Sequence, residues 1–475
     1  GVSPRRHPAG RAAPPAVGFV SLGCAKNLVD SERMLGQIAE SGAILTDEAA
    51  ADTIVVNTCG FLGAAREEAL EVLRGLAERK RRGALRRIVV AGCLVQRDGA
   101  SLLHAIPEID VLVGVHNRDD VARAVWPRAR KPATDRYLGD YHPQPWSDQG
   151  RFRLTPRHYA YVRISEGCNQ KCTFCTIPAI RGPMRSKTPA DLVRECEELI
   201  ADGAREIVLI GQDTTSYGAD LQTPRASGRL PVSTALSARA HAPTGTVAAD
   251  PHTLAGLLRT LDRACDGAPW LRLMYVYPSI LTDDAIAAIA ESPRVVKYID
   301  IPLQHVNDRM LKAMGRRVTR RQQEHLLAKL RDRIPGVTIR TTFIVGFPGE
   351  TEAEFAELER FVREFGFDAV GAFEYSLEPD TPAGRMKHQL DPTLKAERRA
   401  RLMLAQQEVA FAAARARIGS TLDVLVDSPP PPRTRHAAPL PPGHSPGVAR
   451  HSGQAPEVDA VCRLMSRRDR STRAR

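Results

Sequence analysis

Short apolar runs recur at an even spacing through the first hundred residues, and each closes on a cysteine: VGFVSLGC at Cys24, TIVVNTC at Cys59 and RIVVAGC at Cys93. The intervals of 35 and 34 residues have the length of one strand, one helix and their loops, so the pattern predicts repeated β-α units in a parallel sheet. Right-handed crossovers put the carboxyl ends of such strands on one edge, and the three thiols with them. Within the first interval, DSERMLGQIAESG reads as a helix capped by Asp30 or Ser31, with Met34, Leu35 and Ile38 as its apolar stripe and Gly42 as its end.

Six more apolar runs follow, at 159–165, 206–211, 271–276, 297–301, 337–346 and 369–376, separated by helical patterns. Six β-α units predict an α/β barrel, full or partial, whose chemistry lies at the carboxyl ends of its strands. The chain thus divides into a disordered terminus (1–16), an N-terminal α/β domain (17–130), a linker (131–154), the barrel (155–390), a helix (391–418) and a strand-like remnant of a further domain (419–427). Residues 221–252 lack aromatics and periodicity and read as a disordered surface insertion. From 428 to 475 the chain is rich in Pro and Arg and has no lysine, which predicts a disordered tail. The abruptness of that change suggests a frameshift or a wrongly joined coding region.

Composition alters this picture little. An apolar content of 43% is that of a globular protein, and no run approaches the ~20 residues of a membrane span. The first residues lack a signal peptide's apolar middle, so a cytoplasmic location without membrane attachment is expected. The net charge of +12 invites a nucleic-acid reading, but the flanks 1–16 and 428–475 carry +3 and +6 of it. The basic run Arg79 to Arg82 reads as a solvated helix end favoured by the macrodipole.

Nine cysteines in a cytosolic chain point to metal rather than disulfides. A second triplet, Cys168, Cys172 and Cys175 in EGCNQKCTFC, follows the strand-like YAYVRIS and falls at the barrel rim. Three convergent thiolates suit an iron-sulfur cluster, and on a cubane they leave one iron open for chemistry. Zinc is the alternative at the second triplet, although no second C-x-x-C pair or histidine accompanies it. Buried apolar thiols are the plain alternative at the first, opposed by the shared strand-end position. Cys196 and Cys265 lie on helical patterns and read as structural, and Cys462 has no assignment.

The C-x-x-x-C-x-x-C spacing is the signature of radical S-adenosylmethionine enzymes, and with the upstream three-cysteine domain the chain resembles the methylthiotransferases. Within that group SLGCAKNLVDSERM, EGCNQKCTFCTIPAIRGPMRS and IPLQHVNDRMLKAMGR are similar to the RimO family, which modifies a ribosomal protein. Relatives acting on tRNA usually carry a Gln-Met-Asn type sequence after the first cysteine, where this chain has Ala25, Lys26 and Asn27. The resemblance covers about residues 17–427 apart from the insertion.

It implies a parallel-sheet α/β domain followed by a partial (β/α)6 TIM-like barrel, with the family's closing small β-barrel truncated or missing. It implies two 4Fe-4S clusters, one on Cys24, Cys59 and Cys93, the other on Cys168, Cys172 and Cys175. The second would bind S-adenosyl-L-methionine and reduce it to a radical that takes hydrogen from the β-carbon of an aspartate in ribosomal protein S-twelve. The first would handle sulfur, and a second S-adenosylmethionine would supply the methyl group. Further cofactor contacts implied are Gly211, Gln212 and Asp213 after the second barrel strand, Gln304 and His305 after the fourth, and Gly346 in GFPGE after the fifth. Tight turns and ordinary loop polarity would account for each equally well. The implied partners are ribosomal protein S-twelve or the small ribosomal subunit, an electron donor of flavodoxin or ferredoxin type, and a sulfur donor. The competing readings are a tRNA adenosine methylthiotransferase, a metal-stabilised binding protein without catalysis, and an inactive product of a damaged gene.

Overall fold

The second and third cysteine-ended runs are strands buried on both faces and the first is half-buried, which is why they read as continuous apolar stretches rather than alternating ones. In the computed structural model, which describes residues 13–126, 135–141, 146–221, 250–420, 422–428, 444–457 and 462–467, they belong to the first of two compact units. Its strands are β1 (Ala16–Ser21), β2 (Ile44–Leu45), β3 (Thr53–Thr58), β4 (Arg87–Gly92), β5 (Val111–Gly114) and β6 (Asp135–Tyr137). They run parallel in the order β2-β1-β3-β4-β5-β6. All six residues of β3 are buried. Ile54, Val56, Ile88 and Val90 pack under Leu73 and Leu76 of helix Gly63–Arg81, while Val55 and Val89 pack on the other face under Met34 and Ile38.

Two local expectations change. The first helix, Ala25–Glu40, starts directly after Cys24, so Asp30 is a buried mid-helix residue rather than a cap. Part of the expected linker is sheet, because β6 pairs with β5, and a three-residue edge strand carries no readable periodicity.

The second unit holds all six expected barrel strands: β7 (Tyr159–Arg163), β10 (Glu206–Ile210), β11 (Trp270–Leu273), β12 (Val295–Asp300), β13 (Thr338–Val345) and β14 (Ala369–Glu374). They form one parallel sheet in the order β14-β13-β12-β11-β10-β7, a partial barrel whose residues Val162, Leu209, Leu273, Ile299 and Phe343 pack outward under helix residues such as Leu199, Leu257 and Phe361. A short antiparallel pair, β8 (Ser165–Glu166) and β9 (Arg185–Ser186), brackets the second cysteine loop. Helix Pro392–Ala416 follows β14.

The expectation of a lone strand followed by a disordered tail is corrected for residues 444–457 and 462–467. β15 (Val424–Ser428), β16 (His444–His451) and β17 (Cys462–Arg467) form an antiparallel sheet. The segment was unreadable because backbone bonds and charge, rather than an apolar core, hold it. Buried Arg450 pairs with Glu206 at 2.7 Å and Asp427 at 2.8 Å. The Tyr159 and Tyr161 hydroxyls donate to Glu457 at 2.5 and 3.0 Å, and Arg272 Nη1 donates to the Ser452 carbonyl at 2.8 Å. Tyr159 and Glu206 begin β7 and β10, so residues 450–457 cover the amino-terminal mouth of the barrel. The expectations for 1–12, 127–134, 142–145, 222–249, 421, 429–443, 458–461 and 468–475 fall outside the described residues. Among those described, no helix is long and apolar enough to cross a membrane.

Candidate active site: two thiol triplets

In the first unit, neighbouring strands β1, β3 and β4 deliver the thiols. Cys59 follows Thr58 directly and Cys93 follows Gly92, while Cys24 stands three residues beyond Ser21. Glycines allow the convergence. Gly23 has φ +98° and a Cβ there would lie 2.8 Å from Cys59 Cβ; a Cβ on Gly60 would lie 2.7 Å from the Cys93 carbonyl oxygen. The site grades from exposed Cys24 through half-buried Cys59 to buried Cys93. Burial pushes the Cys59 thiol up and that of Cys93 up to about 12; Cys24 adds to the effect at Cys59, Cys24 and Cys59 add to it at Cys93, and Arg181 opposes it at both. Bare thiolates are therefore disfavoured here, and a cationic metal core would offset that cost.

A buried polar network backs this triplet. Asn57 Nδ2 donates to the Asn27 carbonyl and to Ser31 Oγ, both at 2.8 Å. Arg181 Nη1 meets Asp30 at 2.8 Å, and its Nη2 lies 3.2 Å from Cys93 Sγ and 3.3 Å from Asn27 Oδ1. Arg118 meets the other oxygen of Asp30 at 3.2 Å. Arg181 is six residues beyond Cys175 in sequence, and nothing there marks it as belonging to the first triplet.

In the second unit, the loop 168–175 leaves the carboxyl end of β7 and is fixed by backbone. Cys168 N donates to the Gly182 carbonyl at 3.2 Å, Thr173 N to Met314 at 3.0 Å and Thr173 Oγ1 to Ala313 at 2.8 Å. Burial pushes Cys168 and Cys175 up to about 12. Arg316 stacks on Tyr277 at 4.1 Å, donates to the Pro302 carbonyl at 2.6 Å and places Nη1 3.7 Å from Cys172 Sγ. Among the described residues no three His, Cys, Asp or Glu side chains close on a single ion. A cubane does not require it, since each thiolate binds a different iron.

The other sequence candidates gather at the same carboxyl ends but divide by role. Gln212 donates to Glu166 at 3.2 Å, and its Oε1 is buried without a partner; so are Gln304 Oε1 and Ser165 Oγ. Gln304 is moreover held at φ +72°, a strain that marks functional loops. Three orphaned acceptors at the ends of β7, β10 and β12 match a ligand that brings donors, as an ammonium or a ribose does. Gly211 lets the chain pass Ser165, because a Cβ would lie 2.7 Å from its Oγ. Asp213, His305 and Gly346 are engaged by the protein itself. Asp213 accepts from Gln170 at 2.8 Å and Ser216 at 2.6 Å. His305 Nδ1 accepts from Val306 and Asn307 N–H, so its Nε2 is the donor to Glu350 at 3.0 Å. Gly346 makes room for Lys395, 2.4 Å from where a Cβ would sit, and donates to Glu350, which also binds Arg398 at 2.7 Å. Glu166, paired with Arg163 at 2.5 Å with both side chains fully buried, escaped sequence reasoning, because a lone acid beside a cysteine has no spacing to read.

Residues 162–362 match the radical SAM superfamily, and residues 16–114 an uncharacterized protein family designated UPF0004. The chain is 41% identical over 412 residues to the ribosomal protein uS12 methylthiotransferase RimO of Trichlorobacter lovleyi, covering 86% of each chain. It is 43% identical over 446 residues to the RimO of an Anaeromyxobacter species, covering 93% of this chain and 86% of that one. Among solved structures it resembles the radical S-adenosylmethionine methyltransferase TsrM of Kitasatospora setae, with cobalamin and a [4Fe-4S] cluster bound. That match has a TM-score of 0.53 at 16% identity over 78% of this chain and 77% of that one, a likeness of fold.

Proposed function

Because the chain belongs to the RimO family of radical S-adenosylmethionine methylthiotransferases, we propose that it adds a methylthio group to the β-carbon of an aspartate in ribosomal protein uS12. The observation that carries this reading is the pair of thiol triplets at the carboxyl ends of parallel strands, one in each unit of the fold. The iron-sulfur clusters and S-adenosylmethionine supply the radical, sulfur and methyl chemistry when bound.

The protein's part is to hold and orient them. Cys168, Cys172 and Cys175 would hold the cluster that cleaves S-adenosylmethionine, and the loop's hydrogen bonds to Gly182, Ala313 and Met314 fix their directions. Gln212 and Gln304, with their orphaned amide oxygens, and Ser165, which Gly211 lets the chain approach, would accept from donor groups of S-adenosylmethionine. Asp213, His305 and Gly346 act one step back: Asp213 closes the 213–216 turn, while Glu350 ties the ends of β12 and β13 to helix Pro392–Ala416. Cys24, Cys59 and Cys93 would hold the second cluster, and of the three thiols Cys24 is the exposed one. A low-potential donor of flavodoxin or ferredoxin type, a sulfur donor and a cytoplasmic location complete the reading.

The test is mass spectrometry on anaerobically reconstituted protein given S-adenosylmethionine, reductant and sulfide, with a uS12 peptide and unmodified tRNA competing in one tube. A methylthio group on the peptide's aspartate is the expected product. A methylthio group on tRNA instead would assign the chain to adenosine modification.

A further inference from the structure

Arg181 is 1% exposed, and its guanidinium spans a cluster-ligand thiol and a carboxylate within the first unit. Nη2 lies 3.2 Å from Cys93 Sγ, and Nη1 meets Asp30, itself 3% exposed, at 2.8 Å. The fork geometry of arginine satisfies both at once, and the ion pair with Asp30 fixes which nitrogen faces the sulfur. We propose that Arg181 is a positioning residue for the cluster on Cys24, Cys59 and Cys93, whose hydrogen bond and positive charge at the Cys93 sulfur raise that cluster's reduction potential, with Asp30 setting the strength of the effect.

The inference rests on the reading that this triplet holds an iron-sulfur cluster. An electron entering a cluster adds negative charge that its thiolates share. Hydrogen bonds to those sulfurs and the local net charge are the levers by which a protein sets the potential. In a buried site a charge at hydrogen-bond distance acts through a low effective dielectric, so the reduced state gains more from the guanidinium than the oxidised one. Asp30 opposes part of that charge while holding it in place, and Arg118 at 3.2 Å shares the same carboxylate. The predicted signs are therefore opposite: losing Arg181 makes the cluster harder to reduce, and neutralising Asp30 makes it easier.

The experiment is a spectroelectrochemical titration of the full chain in a background carrying Cys168→Ala, Cys172→Ala and Cys175→Ala, so that only the first cluster is present, with iron counted in each sample. Arg181→Gln should shift the reduced-to-oxidised ratio at fixed potential about tenfold toward oxidised, about 59 mV for a one-electron couple. Arg181→Lys should recover part of that shift, and Asp30→Asn should move the ratio toward reduced. If Arg181→Gln fails to keep its iron, Asp30→Asn and Arg181→Lys decide. Ratios within twofold of the parent in iron-replete Asp30→Asn and Arg181 variants would overturn the proposal. A background protein that binds no iron would instead refute the cluster assignment beneath it.

Discussion

At Gly92 the backbone has φ +99°, and a Cβ would lie 2.3 Å from Asn57 Oδ1 and 2.7 Å from the Thr58 carbonyl oxygen. The residue after it is Cys93, so the geometry that fixes the thiol is set by the absence of a side chain beside it. Gly92→Ala is expected to cost about 1–3 kcal/mol through backbone strain and to lower the iron retained by the first triplet. Urea unfolding and an iron assay of the reconstituted variant check both. The six thiols were legible because a cysteine at the end of an apolar run has a position that periodicity can read. Arg181 and Glu166 were not, since what defines them is a partner 88 residues away in one case and a buried neighbour in the other. His305 was legible as a strand-end residue, whereas its saturation by Val306, Asn307 and Glu350 is a matter of backbone direction that no spacing encodes.

Among the elements, helix Glu352–Phe365 begins with a capping box in which Thr351 and Glu354 satisfy each other's backbone N–H groups. Burial works against ionising Glu354. Hydrogen bonds from the Arg309 guanidinium and from Thr351 outweigh it and hold the carboxyl well below its usual range, at about 2. A depressed folded-state value means that its stabilisation is complete above the ordinary glutamate value of 4.5 and fades as pH falls toward about 2. The stability gap between the parent and Glu354→Gln, measured by urea titration, should stay constant from pH 7 to about 5 and shrink between pH 4.5 and 2.5. The barrel strands themselves were readable to within a few residues, because each is an apolar run bounded by helical pattern. β2, β5 and β6 escaped because strands of two to four residues carry too few positions to show a period.

For the whole molecule, the tail shows what composition alone misses. A segment rich in Pro and Arg lacks the residues of a core, yet Arg450 and Glu457 reach polar groups that the barrel itself buries at its amino-terminal mouth. A chain stopped after Ser428 should keep the iron of both triplets, since all six cysteines lie before it, but lose the Arg450–Glu206 pair. Breaking a buried pair costs about 3–5 kcal/mol. Water entering the opened mouth places the loss at the lower end, which corresponds to a fall of roughly 6–12 °C in the midpoint of the second unit, readable by calorimetry.

The same closure bears on how the protein emerges from the ribosome. Glu457 stands 298 residues after Tyr159, whose hydroxyl it accepts. At about 5–20 residues per second, synthesis separates the two by roughly 15–60 s. Throughout that interval β7 carries two phenols, and β10 a carboxylate, in a barrel whose lower opening has no cover. A stretch translated 298 residues later is what finishes the first strand of the barrel.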